Sequence, residues 1–256
     1  MRTVRDLPER RQSLTATIAL RVALFTPVFA LISIVSHRAG MIDTVAFGNL
    51  IVATVALAFL SALLILIGLI RLWTFGKKGG RRLIAAIIAL TFVAYPLGIA
   101  GFQFVRYPQQ IDVSTNLVNP PVFRDEVAEL GAGSTVIVAG TLPNGYPDLI
   151  GRRYNAPADT IQQTLQETGT ALGWRYQRTV GRVGADDAIT LEFSASTLIL
   201  ALPSDIVVRM LDEGDTTLVD VRSKWRFFDH DLGANARAIE RYLDALDFAL
   251  IGVAQP

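Results

Sequence analysis

The chain has 256 residues, 51% of them hydrophobic, and a formal net charge of +1 from 24 Lys+Arg against 23 Asp+Glu. It has no cysteine, which excludes disulfides, thiol catalysis, iron–sulfur clusters and zinc–thiolate sites together. The near-neutral total hides two unlike parts: residues 1–106 carry 12 Lys+Arg and 3 Asp+Glu, a net of +9, and residues 107–256 carry 12 and 20, a net of −8. An acidic domain repels phosphate backbones, so nucleic acid is not an expected partner.

Three apolar runs near the start, at about 18–36, 45–70 and 83–105, approach or exceed the ~20 residues that cross a bilayer. No small-residue cleavage site follows the first, which argues against a signal peptide. Pro96 is expected to kink the third. The flanks set a direction, because basic residues stay on the cytoplasmic side. Arg2, Arg5, Arg10 and Arg11 precede the first run, and Arg71, Lys77, Lys78, Arg81 and Arg82 join the second to the third. The first connecting loop offers only His37 and Arg38 against Asp43. The N-terminus is therefore expected in the cytoplasm and residues 107–256 outside it, in the periplasm of a bacterial inner-membrane protein. The spans hold no Asp, Glu, Lys or His and no repeat, so an anchor fits better than a transporter. Gly48, Gly68, Gly98 and Gly101 would allow close helix packing.

Residues 107–146 predict an irregular lead-in, with Pro120-Pro121 holding the chain extended, a short helix at "RDEVAEL" and an edge strand or covering loop at "STVIVAG". A regular core follows over 147–250. Pro157 opens a helix with Ile161, Leu165 and Leu172 on one stripe, and Gly173 stops it. Two-residue alternation then marks strands. "WRYQRTV" sends Trp174, Tyr176 and Val180 one way, and "AITLEFSAS" does the same with Ile189, Leu191, Phe193 and Ala195. "DIVVRML" follows Pro203. "TLVDVRSKWRF" sends Val219, Val221, Ser223, Trp225 and Phe227 to one face and Asp220, Arg222, Lys224 and Arg226 to the other. A last helix recurs at three- and four-residue spacing through Leu232, Ala236, Ile239, Leu243, Leu246 and Leu250. The predicted class is α+β: a three-helix transmembrane region, then an antiparallel sheet with helices packed on one face.

The chemistry-bearing residues admit bland readings beside sharp ones. Asp229-His230-Asp231 looks like a metal triplet, but neighbours along an extended chain point apart and three in a row rarely share one ion. Asp231 is better read as the carboxylate that caps the last helix. Asn235 and Arg237, in the first turns of that helix, read either as bonds to the 112–121 segment or as ligand contacts near a helix N-terminus. Arg222, Lys224 and Arg226 make either a solvated, ion-paired sheet face or a dock for lipid headgroups or an anionic partner. Trp174, Tyr176, Phe193, Trp225 and Phe227 read as core or pocket wall. No catalytic triad, phosphate loop or nucleotide fingerprint is visible, and no cofactor or metal is expected.

Taken in order, "DVSTNLVNPPVF", "YPDL", "GW", "PSDIVVRM", "LVDVRSKWRF" and "DLGANARAIERYLDAL" resemble the membrane-anchored family known as domain of unknown function fourteen-ninety-nine, found in bacteria and, in related form, in chloroplasts. The resemblance covers nearly all of the outer domain. It implies a membrane anchor followed by this domain and carries no activity with it. "LEFSASTLILALPSD" departs by being more apolar than the corresponding family strand. The expected function is a periplasmic, membrane-anchored domain that binds an envelope partner protein or an apolar or lipid ligand in envelope maintenance. The residues nominated for contact are Asn235, Arg237, Asp231, Arg222, Trp225, Asp112 and Asn119. The alternatives are a hydrolase using Asp112, Asp148 or Asp231, and a structural subunit of a membrane complex.

Overall fold

A computed structural model describes residues 13–124 and 145–251. The chain forms two compact units, Met1–Phe102 and Gln103–Pro256. The helix expected at "RDEVAEL" lies, apart from Arg124, outside the described residues, as does the strand or loop expected at "STVIVAG".

The first unit holds helices α1 (Leu14–Arg38), α2 (Thr44–Phe75) and all but the last turn of α3 (Gly80–Arg106), each long and apolar enough to cross a membrane. Pro27 and Pro96 lie inside α1 and α3. Each of the first two helices starts on a side-chain cap: Ser13 Oγ accepts from Ala16 N–H (3.3 Å) and Asp43 Oδ1 from Ala46 N–H (2.6 Å). Their core is built of small residues, since backbones in lipid associate by close approach rather than by hydrophobic exclusion. Ala16, Ala19 and Ala23 pack with Ile65, Leu83, Ala86 and Ala89. At Gly68 a Cβ would stand 2.8 Å from Leu83 Cδ2 and would displace that side chain, whereas Gly98 and Gly101 have nothing within 4 Å. The expected close approach is thus found at Gly68 and not at Gly98 or Gly101, and alanines supply much of the core. Polar ties are sparse: Thr26 to Ser61 (3.3 Å), Arg71 to Thr15 (2.9 Å) and Arg82 to Thr17 (2.8 Å).

The second unit is α+β, as alternation predicts. Strands β1 (Asp112–Ser114), β2 (Arg152–Tyr154), β3 (Arg175–Val180), β4 (Ala188–Ser196), β5 (Pro203–Asp212) and β6 (Thr217–Trp225) form one antiparallel sheet. Its order is β1-β6-β5-β4-β3, and β2 pairs with β6 beside β1. Both short strands fall where alternation was too brief to register. Helices α4 (Ala158–Ala171) and α5 (Ala234–Ala249) cover one face. There Ile161, Leu165, Ile239, Tyr242, Leu243 and Leu246 meet Ile189, Leu191, Phe193, Ile206, Val208, Met210, Val219 and Val221.

Two details depart from simple periodicity. A bulge between Tyr176 and Arg178 shifts the register of β3, so Trp174 and Tyr176 face the helices while Val180 pairs with Thr190 and is exposed. Leu172 is exposed rather than on the α4 stripe, because Gly169 takes the inward place. The Phe193 ring lies 2.8 Å from where a Gly169 Cβ would be. Phe193 in turn meets Trp174 edge-on at 5.7 Å, and Trp174 stacks on Tyr242 at 4.8 Å. Tyr242, fully buried, donates its hydroxyl hydrogen to the Leu165 carbonyl (3.0 Å) and so ties α5 to α4. Tyr242→Phe is expected to lower stability by about 1 kcal/mol, read by chemical denaturation of the full chain in detergent. An unchanged midpoint would mean that the helix pair is held by shape alone.

Candidate functional site

The sheet face turned away from the helices carries the domain's charged residues, and it is not solvated where it was expected to be. Register puts Arg209 of β5 opposite Asp220 of β6, Val207 opposite Arg222, and Glu192 of β4 opposite Val207. Arg209, Asp220, Arg222 and Glu192 are all buried, between 2% and 7% exposed. The cover is the lead-in itself: β1 joins the sheet edge and residues 115–124 then lie against this face as a strap.

Asp220 is the centre of the arrangement. Its carboxylate accepts from Arg209 Nη2 (2.7 Å), from Thr115 Oγ1 (3.2 Å) and from Asn116 Nδ2 (3.2 Å). Arg209 Nη2 also donates to the Asn119 carbonyl (2.7 Å). Asp112 takes Arg222 in a two-pronged pair at 2.8 and 2.6 Å, the geometry that suits a planar guanidinium. Arg222 reaches on to the Pro121 carbonyl (3.0 Å), and its guanidinium lies over the Phe123 ring at 5.3 Å. Glu192 accepts from the Arg124 backbone N–H (2.6 Å) and pairs with Arg178 (3.1 Å). Gly151 closes the other side: a Cβ there would fall 2.6 Å from Asp220 Oδ1 and 2.8 Å from the Val219 carbonyl oxygen. The expected solvated ion pair does occur at Arg226, whose exposed guanidinium pairs with the half-exposed Asp205.

The start of α5 gathers a second group. Asp231, 1% exposed, accepts from Gly233 N–H and Asn235 N–H, both at 2.8 Å. It satisfies helix-start donors from two residues before the formal cap, Gly233, whose φ of +73° suits glycine. Asn235, also 1% exposed, accepts from Ser223 Oγ (2.7 Å) and donates to the Ile111 carbonyl (3.1 Å). His230 accepts at Nδ1 from Leu232 N–H (2.9 Å), which leaves the hydrogen on Nε2 to donate to the Phe104 carbonyl (3.2 Å). Its ring stacks on Phe104, a residue of the same unit, at 4.6 Å, so His230 is a fastener rather than a bystander. Asp229 is exposed, and the three members of the triplet have three different surroundings. Among the described residues no group of three or more His, Asp or Glu side chains could hold a metal ion.

The nominated contact residues thus divide. Asp112, Arg222 and the backbone of Asn119 meet in the strap, while Asp231 and Asn235 meet at α5. Trp225 is buried at the end of β6, its Nε1 without a partner among the described residues. Arg237 packs over the Tyr107 ring at 5.1 Å and donates to the Leu232 carbonyl (3.1 Å). Sequence reading missed Arg209 as the partner of Asp220. The available signal was a lone arginine inside the apolar run "DIVVRML".

Hydrogen bonds from the Arg237 and Arg106 guanidiniums hold the Tyr107 hydroxyl below its ordinary ionisation range. Burial pushes Tyr146 up to about 12, with Asp231 adding to it. Burial also raises Tyr242 and Tyr154, and for Tyr154 a 2.6 Å hydrogen bond to Asp247 works in the same direction.

A model of the family described as protein of unknown function (DUF1499) matches residues 112–246, more than half of the chain. That span contains the strap, the sheet and nearly all of α5. No curated protein matches the chain.

Replacing Asp220 with alanine leaves Arg209 as an uncompensated buried cation and is expected to cost about 3–5 kcal/mol in the denaturation midpoint. The double replacement Arg209→Met/Asp220→Leu should recover most of that loss. Additive losses would show that the pair is not coupled. Alkaline pH tests the tyrosines. A phenol raised in the folded state stabilises the fold below its unfolded value of about 10, and that contribution fades as pH rises through the folded value of about 12. Stability should therefore fall between pH 10 and 12, and Tyr146→Phe should make that fall shallower. Ultraviolet titration should find Tyr107 ionising before the buried three.

Proposed function

We propose that this chain, which belongs to the DUF1499 family, is a membrane-anchored binding domain of the bacterial inner membrane, with its N-terminus cytoplasmic and residues 107–256 in the periplasm. The proposed role is contact with lipid or with an envelope partner protein in envelope maintenance. The orientation rests on the distribution of basic residues around three apolar helices.

One observation carries the binding reading: the polar side chains that would do chemistry are engaged in closing the domain on itself. Asp112, Asp220, Arg209 and Arg222 hold the strap, and Asp231 and Asn235 hold the start of α5. The helix–sheet interior is filled by Trp174, Phe193 and Tyr242 in mutual contact, which favours the outer surface over an internal cavity as the place of binding. The same engagement of Asp112 and Asp231 weighs against the alternative of a carboxylate-dependent hydrolase. A purely structural subunit differs in one respect, that its partner would be held through the spans.

Reporter fusions after residues 40, 78 and 256 test the orientation. A reporter active only outside the cytoplasm should work at 40 and 256 and fail at 78; a cytoplasmic C-terminus would overturn the reading. In vivo crosslinking from the outer domain, followed by mass spectrometry of bound lipid and protein, should recover a specific adduct that is lost when residues 107–256 are deleted. Retention of that adduct through the spans alone would favour the structural subunit.

A further inference from the structure

Within the second unit, which begins at Gln103, two guanidiniums converge on one phenol. Tyr107 N–H donates to the Gln103 carbonyl (2.9 Å), so Tyr107 continues the last turn of α3. Its ring lies across the start of α5 against Gly233, where a Cβ would fall 2.7 Å from the ring carbon Cγ. A side chain at 233 would push the ring away. The guanidinium carbons of Arg106 and Arg237 stand 5.9 and 5.1 Å from the centre of that ring. His230 holds the turn in place, since its ring stacks on Phe104 and its Nε2 donates to the Phe104 carbonyl. Arg106 is exposed, and Tyr107 and Arg237 are half-buried, so the group is open to solvent.

Neither guanidinium has a carboxylate partner among the described residues. Arg237 donates to the Leu232 carbonyl (3.1 Å), and the contact of Arg106 is the Tyr107 ring. Elsewhere in this domain Arg152, Arg153, Arg178, Arg209, Arg222 and Arg226 each take a carboxylate. Acidic groups do lie near by. Asp231 and Glu240 act on the Tyr146 hydroxyl, but the charges that act on the Tyr107 hydroxyl are Arg237 and Arg106. Asp231 is meanwhile engaged by the backbone N–H groups of Gly233 and Asn235. Two cations gathered on one hydroxyl repel each other, and an anion between them removes that cost. The Tyr146 hydroxyl, within electrostatic reach of Tyr107 and Arg237, is buried and has no hydrogen-bond partner among the described residues. Polar groups around this point are thus not all satisfied within the described residues.

We propose that Arg106, Tyr107 and Arg237 form a phosphate site, in which the two guanidiniums flank a phosphoryl group and the Tyr107 hydroxyl donates to one of its oxygens. A tetrahedral oxyanion accepts from forks that approach on different sides, whereas a planar carboxylate suits one fork. Two sources carry this chemistry. One is the headgroup of an anionic phospholipid, because α3 is long and apolar enough to cross a membrane and ends at Arg106. The other is a phosphorylated solute. The inference rests on the binding reading given above and names a ligand class for it.

Phenolate absorbance reads the site, as the difference between the full chain and its Tyr107→Phe variant. A bound phosphate offsets the guanidinium charge and disfavours the phenolate, so Tyr107 should ionise at higher pH when the site is filled. Inorganic phosphate added to the chain in a maltoside detergent tests the solute source. Phosphatidylcholine–phosphatidylglycerol nanodiscs without added phosphate test the lipid source. A shift in either arm supports the site and identifies its source. In the detergent arm, Arg106→Gln or Arg237→Gln should raise the half-saturating phosphate concentration about tenfold, the loss of one charged hydrogen bond. Arg175→Gln, at an exposed arginine of β3, should leave it unchanged. Arg106→Gln alone keeps the test open should Arg237→Gln fail to fold. No shift in either arm would overturn the proposal. So would a shift that chloride reproduces at equal ionic strength, or one that survives the loss of Arg106. A lipid or protein adduct crosslinked to the outer domain beside an unshifted Tyr107 would strike this inference and leave the binding reading standing.

Discussion

The second unit depends on a buried ion pair, Arg209 with Asp220, 9% and 3% exposed at their side chains. Taking both charges out of water costs several kcal/mol per ion unless the remaining donors and acceptors are satisfied. The sheet cannot do this alone, since its strands spend their backbone groups on each other. Thr115, Asn116 and the Asn119 carbonyl supply further partners, and all three belong to the strap, while Arg209 Nε has none among the described residues. The pair therefore draws on the strap, which Arg222 and Glu192 fasten to the same face. Pro120 and Pro121 fit this role: they keep the segment extended, lack N–H groups that would need partners, and leave the Pro121 carbonyl free to receive Arg222.

The same device recurs where the chain turns from β6 into α5. Asp231 receives the helix-start N–H groups, and Asn235 ties that start to Ser223 and to the Ile111 carbonyl. The strap and the closing helix are thus fastened to the sheet at its two faces, by residues that sit beside one another around β1. Residues whose types suggest chemistry act here as fasteners, because a polar group in a dry place holds position more sharply than an apolar one. Under the proposed binding role, contact with other molecules falls to the outer surface of the domain.

The two units use different means of cohesion. The helices of the first are joined by alanine stripes, one glycine contact and a few hydroxyl bonds, which suits a medium that offers no hydrophobic drive between helices. The second has an apolar interior of the ordinary kind on one face and a polar, ion-paired one on the other. Large apolar side chains are expected outward in the first unit.

Periodicity alone determined the three long apolar helices, the antiparallel strands with one apolar face, the two amphipathic helices that cover it, and the carboxylate at the start of the last one. These are local properties: each follows from spacing within some ten residues and from the medium a face must meet. Alternation likewise separated Asp220, Arg222 and Lys224 from Val219, Val221 and Ser223, but it could not say whether the polar set meets water or protein, because either satisfies the pattern. That was decided by tertiary structure, through partners about 100 residues away in the strap. The bulge at Tyr176, the pairing of Arg209 with Asp220 and the inward turn of Asn235 were decided in the same way. They depend on which distant segments the sheet register brings together, and no local spacing records that.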